Sequence, residues 1–181
     1  MYKFSAASKS ELIVFGAARP RYSNEKVNEW VEFMQSQEIK QVCCLLPESQ
    51  LARYSNLLDI YRRTFGIDQV CWAPIEDFYF ADPGLLIHQI LPFLATANQN
   101  NERVVVHCSG GIGRTGHVLA AWLVAGRGLS HQAAIAAVKQ TGRNPHEAIV
   151  AALFTGRNPW RVAAELDRLL NECDRLSGRL A

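Results

Sequence analysis

No apolar run in this chain approaches the ~18–20 residues that span a bilayer, so no membrane-embedded segment and no membrane partner is expected. The opening Met1-Tyr2-Lys3-Phe4-Ser5 is not followed by an apolar signal core, which makes a cytoplasmic setting the default expectation. There is no CxxC pair. The five cysteines, Cys43, Cys44, Cys71, Cys108 and Cys173, form an odd set that suits neither a disulfide framework nor a structural zinc site. Excess charge of one sign is scarce too: 19 Lys and Arg against 17 Asp and Glu leave a net charge of +2. That is too little for a general nucleic-acid binder. Collagen-like, coiled-coil and low-complexity compositions are absent. One shortage is local. Between Arg103 and His146 there is no acidic residue, while the same stretch holds five Lys or Arg and four of the five histidines. A nearly neutral chain therefore contains a basic, acid-free segment suited to a single phosphate.

What is present is a core. With 181 residues, 49% of them apolar, the chain can bury one without metals or disulfides. Leu12 to Phe15 is a short apolar run closed by Gly16, a first strand. Ser23 offers an N-cap to a helix whose Val27, Trp30, Val31 and Met34 share one face. A second strand is expected from Gln41 to Leu46. Pro47 then opens a helix with Leu51, Tyr54, Leu57, Leu58 and Tyr61 on its apolar side. Gln69 to Ala73 reads as a third strand, and Asp82-Pro83 as cap and first residue of a helix running to about Asn98. The unbroken Val104-Val105-Val106 inside a strand from Arg103 to His107 suits burial on both faces.

Beyond residue 108 the pattern is helical. One helix runs from about Gly113 to between Gly126 and Gly128, and Ser130 caps the next. Thr141-Gly142-Arg143-Asn144-Pro145 then recurs as Thr155-Gly156-Arg157-Asn158-Pro159. A duplicated binding motif is conceivable, but two helix joints explain the repeat better: glycine ends one helix, Asn caps the next and Pro takes its first position. A last stripe of Val162, Leu166, Leu169, Cys173 and Leu176 packs a tail helix down. The expectation is one α/β domain over residues 1–181. Its mainly parallel sheet of about four to five strands is flanked by helices, with a core over about 10–155 and a helical extension over about 158–178.

The chemistry concentrates in His107-Cys108-Ser109-Gly110-Gly111-Ile112-Gly113-Arg114-Thr115-Gly116, between a buried strand and a helix start, where anion-binding loops occur. Gly111-x-Gly113-x-x-Gly116 fits the dinucleotide string, but the acid that should follow ~20 residues later is missing and the motif comes after three other strands. A Walker-type loop lacks its lysine. A plain structural turn leaves four glycines, an arginine and a threonine around one cysteine unexplained. Nucleophilic attack on phosphate accounts for all of them. The attacking species is a thiolate, and inward-pointing N–H groups at a helix N-terminus stabilise that anion. Glycines let the backbone curl around phosphate oxygens. Arg114, six positions on, can grip two of those oxygens bidentately.

His107-Cys108-x-x-Gly111-x-x-Arg114-Thr115-Gly116 resembles the signature of the cysteine-dependent protein tyrosine phosphatases, including their small dual-specificity branch. The resemblance implies a phosphocysteine intermediate with Cys108 as nucleophile and Arg114 as phosphate clamp. Ser109, Gly110, Gly111, Ile112 and Gly113 would supply N–H donors, Thr115 would hydrogen-bond the sulfur, and His107 would tune the thiolate. No metal or cofactor is implied. A general acid belongs on a mobile loop before the signature strand. Trp72-Ala73-Pro74-Ile75-Glu76-Asp77-Phe78 resembles that loop and makes Asp77 the acid, with Glu76 the alternative and Asp82 a helix cap. The inserted Tyr79-Phe80-Ala81 is a departure from the family pattern. Glu147 lies where the family orients the attacking water, and equally where a helix favours a first-turn acid.

The phosphate loop has no lysine, unlike the inositol-lipid branch, which favours a monophosphorylated substrate. The expected partner is a phosphorylated protein or peptide, with phosphate, vanadate or tungstate as ligands of the loop. A binder of phosphoproteins without turnover and a phosphatase acting on a non-protein monoester are the alternatives. Arg19-Pro20-Arg21-Tyr22, before the first helix, reads as a solvated basic loop.

Overall fold

The computed structural model describes residues 2–176. Its elements begin with β1 (Ser5–Ala6), β2 (Val14–Ala18), α1 (Asn24–Ser36), β3 (Ile39–Cys44), α2 (Glu48–Leu51), α3 (Leu57–Phe65) and β4 (Val70–Trp72). They continue with α4 (Pro83–Leu85), a π turn (Leu86–Ile90), α5 (Leu91–Gln99), β5 (Arg103–Cys108), α6 (Gly113–Arg127), α7 (His131–Gln140), α8 (Glu147–Ala152) and α9 (Pro159–Asp174). The strands form one sheet in the order β1-β2-β5-β3-β4. β5 runs parallel to both of its neighbours, β4 is parallel to β3, and β1 is the antiparallel edge.

Because β5 is central, its side chains divide between two cores. Val104 and Val106 pack with Leu94, Leu119 and Trp122 on one face. Val105 packs with Trp30, Met34 and Tyr61 on the other. The same alternation sends Cys108 toward the first core and His107 toward Trp30 and Tyr61. From Gly113 to Gly126 every residue of α6 is buried, the polar Arg114, Thr115 and His117 included. The side chains of Cys43 and Cys44 are fully buried, and burial pushes the Cys44 thiol up to about 12, so it is inert packing at neutral pH.

Local sequence reading placed several boundaries differently. The first long strand starts at Val14 rather than Leu12, because the Glu11 carboxylate accepts the N–H groups of Leu12, Ile13 and Val14 and leaves Leu12 exposed. The two-residue β1 was not foreseen. The helix expected from Pro47 is broken into α2 and α3; its apolar stripe still faces the second core, but Tyr54 sits in the break and donates its hydroxyl to the Pro20 carbonyl at 2.7 Å. Pro92 lacks the N–H that would close on His88, and the turn ahead of it widens, so that the Leu91 N–H reaches back to Leu86. The helix expected from Pro145 begins at Glu147, with Asn144 Oδ1 accepting the His146 N–H in the turn before it. Asn158 and Pro159, by contrast, start α9 as the spacing predicts.

Glu11 is also a buried, paired charge. Arg127 donates Nε to Oε2 at 2.9 Å and Nη2 to Oε1 at 3.0 Å, and Trp122 Nε1 adds a bond at 3.1 Å. Burial pushes this carboxyl up, but Arg127, the Ile13 N–H and Trp122 together outweigh it and hold the group below its ordinary value. A carboxylate with a depressed folded-state pKa stabilises the fold above its unfolded-state pKa. That contribution disappears as pH falls through the folded value. Glu11→Ala is expected to cost about 3 kcal/mol at neutral pH by leaving Arg127 without its carboxylate and the N–H groups of Leu12, Ile13, Val14 and the Trp122 indole without their acceptor. In urea titrations the gap between wild type and variant should narrow on acidification through the carboxylate range. A gap that is small at neutral pH, or indifferent to pH, would show that the cluster is solvated.

Candidate active site

β5 delivers Cys108 to the carboxyl edge of the parallel sheet, between β2 and β3, the edge at which open α/β folds place ligands. The Arg19 N–H donates to the Cys108 carbonyl at 2.9 Å and registers the strand end on β2. Residues 109–112 then lead from β5 into α6, whose first residue is Gly113. The Gly111 N–H points at Cys108 Sγ at 3.2 Å. Cys108 is 2% exposed.

The glycines of this loop do different work. Gly111 has φ +68°, and a Cβ there would lie 2.6 Å from the backbone of Ala17 and Ala18, so only glycine lets the loop lie on β2. A Cβ on Gly113 would collide with the Glu147 side chain. Gly110 faces open space and carries no such requirement.

Arg114, in the first turn of α6, is 3% exposed, and both of its Nη atoms are engaged. Its Nη1 donates to the Ile75 carbonyl at 3.0 Å and to Gln50 Oε1 at 3.2 Å. Its Nη2 donates to Ser109 Oγ at 2.9 Å and lies 3.1 Å from Asp77 Oδ1. The guanidinium is thus aimed over the loop by two groups that sequence reading missed, Gln50 and the Ile75 carbonyl. Neither could be found locally, because Gln50 and Ile75 lie 64 and 39 positions from Arg114 along the chain.

Of the two acids considered, Asp77 meets Arg114 and Glu76 is exposed. Asp82 caps α4, accepting the Leu85 N–H at 3.1 Å. The Glu147 carboxylate lies against Gly113, beside the phosphate loop. Thr115 departs from expectation: its hydroxyl is buried without a hydrogen-bond partner and does not bond the sulfur. His107 is fully buried with both ring nitrogens unpaired, and burial chiefly pushes it down to about 3. It is a neutral ring packed edge-on against Trp30 and Tyr61 and lends the thiolate no charge.

Two further side chains support the loops. His117 accepts the Ala81 N–H on Nε2 at 3.0 Å and faces the Gly113 carbonyl with Nδ1 at 3.3 Å. Those bonds are mutually consistent only with the proton on Nδ1. Burial, followed by the charge of Arg114, pushes His117 down to about 4, so it is neutral. One ring therefore ties the acid loop to the phosphate loop. Arg143 lies under that loop, donating to the carbonyls of Gly111 at 3.3 Å, Lys3 at 3.1 Å and Ser5 at 3.3 Å. Burial pushes it down to about 10 and the nearby Cys108 opposes this, so it remains a cation at neutral pH. Its only trace in the sequence is the repeated Thr-Gly-Arg-Asn-Pro. Arg19 is not a solvated loop residue, because its guanidinium covers the Tyr22 ring and donates to the Tyr54 hydroxyl; Arg21 alone is exposed.

The dual specificity phosphatase catalytic domain family matches the chain over residues 22–150. Cyclin-dependent kinase inhibitor 3 of Mus musculus is 32% identical over 110 residues, which make up 60% of this chain and 51% of that protein. The chain thus spans about half the length of the curated relatives it matches. Among solved structures, Tk-PTP in its active form superposes with a TM-score of 0.64 at 25% identity, over 87% of this chain and 93% of that one. PTPMT1 in complex with PI(5)P reaches 0.68 over 98% of this chain and 99% of that one, at 15% identity, a likeness of fold alone.

Proposed function

The chain belongs to the dual specificity phosphatase catalytic-domain family, and from that premise we propose that it hydrolyses phosphotyrosine in proteins, with phosphoserine and phosphothreonine monoesters as further substrates, through a phosphocysteine intermediate. The observation that carries the reading is the arrangement around one sulfur. The Gly111 N–H points at Cys108 Sγ, and the buried Arg114 shares one nitrogen between Ser109 and Asp77.

In the first half-reaction the Cys108 thiolate attacks phosphorus. The S–P bond forms as the P–O bond to the substrate breaks. Arg114 exchanges its contacts for phosphate oxygens, while the N–H groups of residues 109–113 take the others, so negative charge is met by donors already in place. Asp77 gives its proton to the departing oxygen. In the second half-reaction Asp77 takes a proton from water, whose oxygen bonds to phosphorus as the S–P bond breaks and the thiolate is restored. Glu147, whose carboxylate lies against Gly113, would orient that water. A loop without lysine suits a substrate carrying one phosphate rather than several.

The test is acid quenching during turnover of para-nitrophenyl phosphate, followed by mass spectrometry of the Cys108 peptide. A single phosphoryl group on that peptide is expected. Turnover without such an adduct would overturn the covalent route, and tight binding without turnover would favour a phosphoprotein-binding role. Phosphotyrosine and phosphothreonine peptides assayed side by side then set the specificity.

A further inference from the structure

The repeated Thr-Gly-Arg-Asn-Pro segments both end a helical stretch on a left-handed glycine, Gly142 at φ +87° and Gly156 at φ +70°. Their arginines then part company. Arg143 goes under the phosphate loop, as described above. Arg157 leaves the joint between α8 and α9 and crosses to the acid loop, where its Nη1 donates to the Phe78 carbonyl at 2.8 Å. Its guanidinium carbon lies 4.0 Å from the centre of the Tyr79 ring, a cation–π distance. Glu165, in the second turn of α9, lies 3.7 Å from its Nη2.

The residue it grips is the strained one. Phe78 has φ +63°, in the left-handed region that a bulky side chain rarely enters. It is the third residue of a turn closed by the Tyr79 N–H on the Glu76 carbonyl at 3.2 Å, a position that normally calls for glycine when φ is positive. Packing of its own ring does little to hold it there, since Phe78 is 43% exposed. The hydrogen bond from Arg157 acts directly on its peptide group. Asp77 is the preceding residue, so any relaxation of Phe78 turns the chain at Asp77 and moves its carboxylate away from Arg114.

We propose that Arg157 is a positioning residue for the general acid: the joint leading into the C-terminal helix holds Phe78 in its left-handed conformation and so keeps Asp77 over the phosphate loop. The inference rests on the reading of Asp77 as the acid. The acid loop is then fixed at three successive points: Asp77 by Arg114, Phe78 by Arg157 and Ala81 by His117. Only the middle one comes from the α8–α9 joint. That joint also explains how a loop carrying the Tyr79-Phe80-Ala81 insertion keeps its shape, because Tyr79 supplies the ring on which Arg157 lies.

The test is kcat/KM, which reports the first half-reaction, over a series of aryl phosphates with leaving groups from good to poor. A good leaving group departs without a proton, whereas a poor one needs the acid. Arg157→Ala is expected to lower kcat/KM about tenfold for phenyl phosphate and to stay within about twofold of wild type for dinitrophenyl phosphate. Arg157→Lys, which keeps a cation near Tyr79 but loses the fork, should fall between the two and serves if the alanine variant folds poorly. Phe78→Gly, which accepts a positive φ without strain, should restore phenyl phosphate hydrolysis in the Arg157→Ala protein. In an Asp77→Asn background Arg157→Ala should add nothing. A uniform loss across the series, or no loss at all, overturns the brace. If Asp77→Asn steepens the leaving-group dependence and Arg157→Ala does not, the brace fails alone. If Asp77→Asn leaves that dependence unchanged, the general-acid reading fails and the brace with it.

Discussion

Replacing Cys108 by serine is expected to remove para-nitrophenyl phosphate hydrolysis to background, a loss on the order of 10³-fold or more, while the fold and the anion site persist. The substitution changes one buried atom and leaves the Gly111 N–H, Arg114 and Ser109 in place. What it removes is the nucleophile. A serine hydroxyl at this position needs a base to become an alkoxide, and the adjacent histidine cannot supply one. His107 and Cys108 are consecutive strand residues, so their side chains point to opposite faces of β5. His107 is sealed among Trp30 and Tyr61. Sulfur is intrinsically the stronger nucleophile, and the Gly111 N–H beside it favours an anion. Tungstate should still raise the melting temperature of the variant, by binding the folded state alone. Phosphate release at a wild-type rate by Cys108→Ser would rule out cysteine chemistry. Loss of both turnover and the tungstate shift would mean that the loop itself had collapsed.

Arg114→Lys should be nearly as damaging, with kcat/KM falling on the order of 10³-fold. Charge is conserved, so the loss measures geometry. The guanidinium spreads its donors over the Ile75 carbonyl, Gln50, Ser109 and Asp77. A lysine ammonium is one point on a flexible stem and cannot span them or present two parallel N–H groups to phosphate. Buried at 3% exposure, the position also penalises an ammonium that keeps fewer partners. Steady-state kinetics on para-nitrophenyl phosphate, paired with tungstate titration, check both parts. Turnover and anion affinity should fall together. A variant within tenfold of wild type would show that a single positive charge suffices and that the fork has no special role.

How legible these features were depended on sequence distance. The phosphate loop was readable because all its parts fall within Cys108 to Gly116, and a strand running straight into a helix N-terminus fixes their relative placement. The burial of β5 on both faces was readable from three consecutive valines, since a strand covered on both sides tolerates that run. The break between α2 and α3 was not, because the apolar stripe from Leu51 to Tyr61 looks the same on one helix or two. Thr115 illustrates the opposite error. Its place in the motif suggested a bond to the sulfur, but one turn of α6 carries its hydroxyl into a buried, unpartnered position.

The choice between Glu76 and Asp77 shows most plainly where local reading ends. Both are carboxylates on the same loop with the same chemistry, and only the turn through Phe78 decides which one faces Arg114. That turn is held by Arg157 from 79 positions further along the chain, just as the phosphate loop is held from below by Arg143. The sequence by itself determined the spacing of Cys108 and Arg114 in one loop and the α/β frame, because each depends on neighbours within a turn or a strand. Tertiary structure alone decided which carboxylate meets Arg114 and what supports both loops. Those depend on hydrogen bonds between segments that meet only after the helices have packed, and no period or spacing records such meetings.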